Sequence, residues 1–289
     1  MKTVSVPFGG QHTVAYFSME VGLDSAMPTY AGGLGALAGD TLHAAADLGV
    51  PMAGVTLLHR KGYFRQHLDA QGHQSESPAV WHPEELLEAV PQRVSVPIEG
   101  REVQVRAWRY LVRGLSGEVV PLYLLDTAVQ ENSPWDQTLT DYLYGGDEHY
   151  RLCQEAVLGL GGVALLKAIG HRNVQSYHMN EGHSALLVLA LLQEHTKGHA
   201  PTEHDIQAVR RRCVFTTHTP VPAAQDKFSM ALARQVLGGQ ACSILEASQC
   251  VLGDVLNMTY LALRFSHYIN GVSLRHEEIS HTMFPSYPR

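Results

Sequence analysis

Short apolar runs and longer amphipathic segments alternate along this chain. Val14 to Ser18 and Met52 to Leu58 are apolar runs of the length expected for buried strands. Between them, Leu34 to Leu48 has helical periodicity, with small residues on the side that would meet a close neighbour. The pattern predicts a strand, a helix and a second strand in this part of the chain.

The same alternation returns further along the sequence. A helix is predicted from His149 to Ile169, and the segments VQSYHM and CVFTTH are predicted strands. A helix from His183 to His195 separates these two strands, and mostly helical structure is expected after the second. Strands that alternate with helices favour a parallel sheet covered on both faces, so we predict a Rossmann-like α/β fold.

The segment from 93 to 127 has a different character. RVSVPI, EVQVRAWRY and EVVPLYLLD alternate or run apolar, and turn residues separate them. This pattern predicts a β-meander inserted near 93–127. A chain of 289 residues is long for one domain but short for two, and we expect a single domain over 1–289.

The composition of the chain argues against some classes of binding partner. A net charge of -7 argues against nonspecific binding to nucleic acid or to an acidic membrane surface. No apolar run approaches the ~20 residues that a membrane helix needs, and the N-terminus lacks the features of a signal peptide. We therefore expect a cytoplasmic protein with no nucleic-acid or membrane partner. The four cysteines fall in no metal or redox spacing, the histidines form no H-E-x-x-H motif, and no metal site is predicted.

Three glycines, Gly32, Gly33 and Gly35, stand directly before the first predicted helix. Their spacing formally fits the dinucleotide fingerprint G-x-G-x-x-A, but about a dozen residues separate it from the preceding strand. His59 and Arg60 also stand where that fingerprint expects an acidic residue. A second interpretation is that the glycines serve turning and packing alone. The interpretation we prefer is that open backbone N–H groups at the helix start form an anion site for phosphate or a sugar phosphate.

The sequence around these glycines resembles the N-terminal segment of α-glucan phosphorylases, retaining glycosyltransferases that cut glycogen, starch or maltodextrin with phosphate. The resemblance covers nearly the whole chain in matching order. It implies the N-terminal domain of a glycosyltransferase-B fold, in which the active site lies between two Rossmann-like domains. The matching blocks are VAYFSMEVGLDSAMPTYAGGLGALAGDTLHAAADLGVPMAGVTLLHRKGYFRQ, LYGGDEHYRLCQEAVLGLGGVALLKAIG, YHMNEGHSALLVLALL, CVFTTHTPVPAAQDKF and MTYLALRFSHYINGVSLRHEEISHTMFPSYP.

The resemblance also implies roles for particular residues. Backbone amides of the glycine loop would face the substrate phosphate, and His218 would contact the glucosyl residue at the scissile position. Asn180 belongs to a block that would line the same cleft, although capping of the next helix is an alternative for it. Asp147 would begin a mobile loop that gates the cleft. With His218 as the catalytic residue, the implied substrate-binding residues are Gly32, Gly33, Leu34, Gly35, Asp147, Asn180, Glu181, His183 and Thr219.

The family uses pyridoxal phosphate, held as a Schiff base on a lysine of the C-terminal domain. Lys61, Lys167, Lys197 and Lys227 do not lie in the cofactor-lysine motif, and the sequence reaches Arg289 without that domain. The resemblance therefore implies no covalently bound cofactor in this chain, and no phosphorolysis by it alone.

The partners that the resemblance implies are an α-glucan with phosphate or glucose 1-phosphate, and a complementary C-terminal phosphorylase chain or a second copy of this chain. The alternative function is a noncatalytic glucan-binding or regulatory domain. A nucleotide-sugar or dinucleotide enzyme rests on fold analogy alone.

Overall fold

The computed structural model describes residues 8–218, 225–273 and 279. In these residues a mixed, mostly parallel sheet is flanked by helices. The predicted α/β class is therefore confirmed.

Strands and helices alternate over much of the described chain, and the longest run of strands with no helix between them lies between 88 and 126. The described strands are β1 (Val14–Ser18), β2 (Met52–Leu57), β3 (Arg65–Leu68), β4 (Gln74–Ser77), β5 (Glu88–Ala89), β6 (Val94–Ile98), β7 (Arg101–Arg113), β8 (Val119–Asp126), β9 (Ser176–Asn180), β10 (Cys213–Thr217), β11 (Lys227–Ser229), β12 (Val251–Leu252), β13 (Val255–Asn257) and β14 (Tyr268–Gly271).

A wide π-helical turn, Val157–Gly161, joins two of the helices into one continuous rod. Short 3-10 turns lie at Asp136–Thr138 and Gly182–Ser184. The described helices are α1 (Gly33–Asp47), α2 (Pro83–Leu86), α3 (Glu148–Ala156), α4 (Gly162–Ala168), α5 (Leu187–Thr196), α6 (Glu203–Arg210), α7 (Met230–Leu237), α8 (Gly239–Ala247) and α9 (Met258–Phe265).

The order of the strands places a topological switch point between β1 and β9. The central sheet runs β14-β10-β9-β1-β2-β8-β7-β5, with β6 paired to β7, and the strands from β14 to β8 are parallel to their neighbours. The chain leaves β1 toward β2 on one side and returns to β9 on the other. Crevices form at such reversals, outside the carboxyl ends of the strands.

The β-rich segment is continuous with this sheet. β6, β7 and β8 form an antiparallel ladder, and β8 pairs in parallel with β2, with Gly54 opposite Leu122. The strands predicted in this segment are therefore present. Its description as an insertion into one domain spanning 1–289 stays a prediction.

Hydrophobic cores lie on both faces of the sheet, because successive side chains of a strand point to opposite sides. On one face, Ala15 and Phe17 of β1 belong to the cluster that includes Leu152 of α3. On the other, Tyr16 belongs to the cluster that includes Leu42 of α1. β1 is thus covered on both faces, which explains why it reads as an uninterrupted apolar run.

The structure differs from the sequence predictions in detail. The predicted helix from His149 to Ile169 contains the π-helical turn, and the helix predicted to begin at His183 starts with a 3-10 turn before α5. The β3–β4 hairpin and the small β11–β13–β12 sheet were not predicted. All four cysteines are buried and free. Among the described residues, no helix has the length and apolar character needed to cross a bilayer.

Candidate functional site

A cleft opens beyond the carboxyl ends of β1, β9 and β10, beside the first turn of α1. Its volume is about 720 Å³, a size typical of small-molecule sites. It lies at the switch point of the sheet, where doubly wound α/β proteins bind their ligands. The residues that line it are Glu20, Gly33, Leu34, Leu37, Tyr144, Arg151, His183, His218, Asp226 and Val272.

The glycines at the start of α1 have two different tasks. A Cβ atom added to Gly39 would lie 1.8 Å from the carbonyl oxygen of Gly22, and one added to Gly35 would lie 2.4 Å from Cβ of Tyr30. These two glycines let α1 pack closely against the segment that follows β1. Gly33 has no such neighbour within 4 Å, and its backbone lies on the cleft wall. Close packing therefore explains Gly35 and Gly39, and exposure of the backbone to the cleft explains Gly33.

A carboxylate of the protein itself occupies part of the expected anion site. Glu20 Oε2 accepts hydrogen bonds from the backbone N–H groups of Ala31 at 2.6 Å and Gly32 at 3.2 Å. Glu20 Oε1 accepts a hydrogen bond from the Tyr144 hydroxyl at 2.6 Å. The Gly32 amide, expected to face a phosphate, thus faces Glu20. The next two residues of the chain, Gly33 and Leu34, line the cleft.

His218 is held in place by the side chain of Asn180. The Asn180 amide nitrogen donates to Ser18 Oγ at 3.0 Å and to the Leu34 carbonyl oxygen at 3.4 Å. This orientation leaves Asn180 Oδ1 facing His218 Nε2 at 2.6 Å. Because an amide oxygen only accepts hydrogen bonds, the proton of this contact lies on Nε2 of His218. Asn180 therefore ties β1, α1 and His218 together.

Glu181 supports the backbone behind the same histidine. Its carboxylate accepts hydrogen bonds from the N–H groups of His218 at 2.6 Å and Gly182 at 3.0 Å. Glu181 has a positive φ of 70°, a strained conformation for a residue other than glycine. These bonds favour the conformation, because the carboxylate satisfies backbone donors that are removed from water. Glu181, and not Asn180, is the N-cap of the 3-10 turn.

A charged cluster forms the side of the cleft opposite the glycines. Arg151 contacts Asp226 at 3.2 Å, and His183 Nε2 lies 3.2 Å from the same carboxylate oxygen. The Arg151 guanidinium also stacks over the Tyr144 ring, 4.5 Å from its centroid. Burial lowers the pKa of His183 to about 4 although Asp226 opposes the shift. His183 is thus a neutral imidazole at neutral pH, able to donate and accept hydrogen bonds.

Behind this cluster lies a buried acid, Glu155. Its side chain is fully buried, and its nearest cation is Arg151, with Nε 3.7 Å from Oε1. Burial, reinforced by the nearby charge of Asp226, raises the pKa of Glu155 well above its ordinary value. Burial alone would also raise the pKa of Asp226, but His183, Glu155 and Arg151 outweigh it and leave that pKa lowered. The pair therefore holds a proton on Glu155 and a negative charge on Asp226.

The predicted site residues fall into several groups. Gly33, Leu34, His183 and His218 line the cleft. Asn180 and Glu181 are buried behind His218, and Gly32 and Gly35 serve the loop as described above. Asp147 is exposed, lies outside the lining residues and caps α3 by accepting from Tyr150 N at 2.9 Å. Thr219 lies outside the described residues.

The sequence interpretation missed four polar residues of the cleft, namely Glu20, Tyr144, Arg151 and Asp226. Glu20 lies two residues after the end of β1, and this position beyond a buried strand was the available signal. Arg151 lies on α3 one turn before Glu155, a spacing that is equally typical of a structural ion pair. Tyr144 and Asp226 reach the cleft from loops, where periodicity carries no information.

The described lysines do not fit a covalently bound pyridoxal phosphate at this cleft. None of them is among its lining residues. Lys61 forms an ion pair with Asp141 at 2.8 Å, which raises its pKa, and Lys167 pairs with Glu194 at 2.5 Å. A Schiff base requires a neutral amine, and these contacts favour the charged ammonium.

A polar cleft at the switch point of a parallel sheet is typical of ligand-binding α/β domains. No protein-family model matches the chain. The maltodextrin phosphorylase of Thermococcus litoralis is 38% identical over 286 residues, 95% of this chain and 34% of the relative. The glycogen phosphorylases of Mycobacterium tuberculosis and Aquifex aeolicus are 37% and 32% identical, each over 94% of this chain and over 34% and 41% of their own lengths.

These relatives confirm the resemblance predicted from the sequence: over nearly all of its length, this chain is a homologue of α-glucan phosphorylases. The chain spans about a third to two-fifths of the length of these relatives.

Proposed function

We propose that this chain is the N-terminal domain of an α-glucan phosphorylase with a glycosyltransferase-B fold, acting in the cytoplasm. Its cleft would bind the glucosyl residue that is released as glucose 1-phosphate. One observation carries the proposal: His218, the open backbone at Gly33 and the neighbouring Leu34 line one cleft at the switch point of the sheet. The similarity of the chain to maltodextrin and glycogen phosphorylases supports it.

The chemistry of the cleft suits sugar hydroxyls. A hydroxyl both donates and accepts hydrogen bonds, and the cleft offers a carboxylate at Glu20, a second at Asp226, and neutral His183. The Arg151 guanidinium is already paired with Asp226. Among the described lining residues the carboxylates thus offset the cation, so a free phosphate finds little excess positive charge. We infer that the cations that bind phosphate come from outside these residues.

A complementary C-terminal phosphorylase chain would supply those cations and the lysine that holds pyridoxal phosphate, whose phosphate group acts in proton transfer in the family. Within this chain, Asn180 and Glu181 fix the ring and backbone of His218, and Glu20 fixes the loop before α1. Groups held in place in this way stabilise a transition state strongly only when water is excluded from the cleft. We therefore propose that the chain alone has no phosphorolytic activity.

Calorimetric titration with maltoheptaose tests the cleft. His218→Ala should weaken binding about threefold to tenfold, the effect of losing one neutral hydrogen bond. His67→Ala is the matched control, because His67 lies on the exposed β3–β4 hairpin away from the lining residues. Equal affinity in His218→Ala and wild type would contradict the proposed cleft.

Reconstitution tests the activity. Mixing the chain with the C-terminal domain of a homologous phosphorylase and pyridoxal phosphate should yield glucose 1-phosphate from maltodextrin and phosphate. The second candidate function is a noncatalytic glucan-binding domain, favoured by the balance of charge in the cleft. A folded, associated pair that binds maltoheptaose and forms no product would support that second candidate.

A further inference from the structure

Three polar side chains outside the cleft form a compact cluster where α5 meets α6. His195 lies in the last turn of α5, and His204 and Asp205 lie in the first turn of α6. One potential ligand atom from each lies within 4.8 Å of the others. None of the three lines the cleft, so the cluster is independent of the proposed function.

The carboxylate of this cluster is already oriented. Asp205 Oδ2 accepts hydrogen bonds from the Thr202 backbone N–H at 2.8 Å and from its hydroxyl at 2.5 Å, which completes a capping box. Asp205 Oδ1 faces His195 Nε2 at 3.4 Å. One oxygen is thus held by the helix cap while the other is directed at the imidazole. Hydrogen bonds that orient a carboxylate in this way are typical of metal-ligating acids.

The imidazole rings of the cluster lie beside the Asp205 carboxylate. The rings of His195 and His204 stack with centroids 6.2 Å apart. A third histidine, His199, places Nδ1 3.8 Å from Asp205 Oδ2. The three histidines lie in the last turn of α5, in the connection that follows it and in the first turn of α6. This short segment therefore brings every candidate ligand to one place.

We propose that His195, His204 and Asp205 bind a divalent first-row transition metal such as Zn²⁺, with His199 at its edge. Imidazole nitrogen and carboxylate oxygen suit this class of metal, whereas Mg²⁺ and Ca²⁺ prefer oxygen ligands alone. Zinc–ligand bonds of about 2.0–2.2 Å require the donors to approach one another more closely. Both histidines are exposed, so their side chains rotate toward the fixed carboxylate at small cost.

The bound metal would join α5 to α6, the connection that links β9 to β10. β9 ends at Asn180 and β10 is followed by His218, so the metal would brace the part of the sheet that carries them. A metal ion that binds the folded chain and not the unfolded chain stabilises the folded state by mass action. The melting temperature should therefore rise with zinc concentration.

Calorimetric titration of the metal-stripped full chain with ZnCl₂ tests the site, with MgCl₂ as the comparison ion. Wild type should bind a single zinc ion at this cluster and no magnesium. His195→Gln and His204→Gln should each lower zinc affinity at least tenfold, because even the loss of a residue that merely orients a ligand costs about 10- to 100-fold.

His73→Gln is the matched control, since His73 also pairs with an aspartate, Asp69, at 3.0 Å on the exposed hairpin but has no second imidazole in that pair. It should bind zinc as wild type does. Substitution of Co²⁺ should produce visible absorption bands in wild type and in His73→Gln alone. Zinc affinity that is absent in wild type, or unchanged in the His195→Gln/His204→Gln double variant, would overturn the proposal.

Discussion

Replacing Gly39 by alanine tests whether close packing of α1 sets the position of the cleft's backbone wall. The added methyl group would lie 1.8 Å from the Gly22 carbonyl oxygen and 2.8 Å from its carbon. Because both are backbone atoms, rotation of a side chain cannot relieve the contact. The helix must therefore move away from the segment that follows β1.

The expected loss of stability follows from two opposing effects. Overpacking a close contact costs about 1–3 kcal/mol, and a backbone obstacle places Gly39→Ala at the upper end of this range. Alanine in a helix interior recovers about 1 kcal/mol relative to glycine. The free energy of unfolding should therefore fall by about 2 kcal/mol, which corresponds to roughly 3 °C in melting temperature for a chain of this length.

Gly33→Ala is the matched control, because a Cβ atom there meets nothing within 4 Å and the residue begins the same helix. Its stability should lie within about 0.5 kcal/mol of wild type, or slightly above it. Urea unfolding of both variants, followed by circular dichroism, makes the comparison. If Gly39→Ala is as stable as wild type, or both variants lose the same amount, close packing does not explain the motif.

The remaining predictions concern buried polar groups. Asn180→Ala leaves Ser18 and the Nε2 of His218 without the amide between them, and should cost about 1–3 kcal/mol in urea unfolding; a loss under about 0.5 kcal/mol would contradict this. Because the raised pKa of Glu155 keeps a proton on the folded chain that the unfolded chain releases above pH 4.5, wild type should lose stability relative to Glu155→Gln as the pH rises above 4.5; a pH-independent difference in unfolding free energy would refute the assignment. Burial lowers the pKa of His59 from 6.5 to about 4, so its contribution is present above pH 6.5 and is lost as the pH falls toward 4. Acid unfolding of His59→Gln should therefore show a shallower dependence in this window than wild type, and an equal slope would count against a neutral buried imidazole.

The elements that frame the cleft were predictable because each carries its own pattern. β1 and β2 are covered on both faces and appear as unbroken apolar runs, and α1 shows small residues at helical spacing. The strand ends at Ser18, Asn180 and Thr217 could then be placed at one edge of the sheet, because carboxyl ends of parallel strands lie together. The resemblance to α-glucan phosphorylases, and not the pattern, implied that His218 and the glycine loop face one cleft.

The contacts between distant side chains could not be predicted in this way. Glu20 and Tyr144 are hydrogen-bonded across more than a hundred positions of sequence, and Arg151 meets Asp226 across 75. Neither pair shares an element, so no periodicity connects them. The β3–β4 hairpin was missed for a simpler reason, since its strands are polar and almost entirely exposed and show no buried face.

The π-helical turn at Val157–Gly161 determines in which direction around the helix axis the side chains of α3 point. An α-helix advances about 100° per residue, so one residue more or less between α3 and α4 rotates one half against the other by that angle. With α4 seated on the sheet, a one-residue deletion in the turn would swing Arg151 and Glu155 together around the helix axis. The guanidinium would leave the cleft although neither residue had been altered, so this widened turn acts as a spacer that determines which way α3 faces.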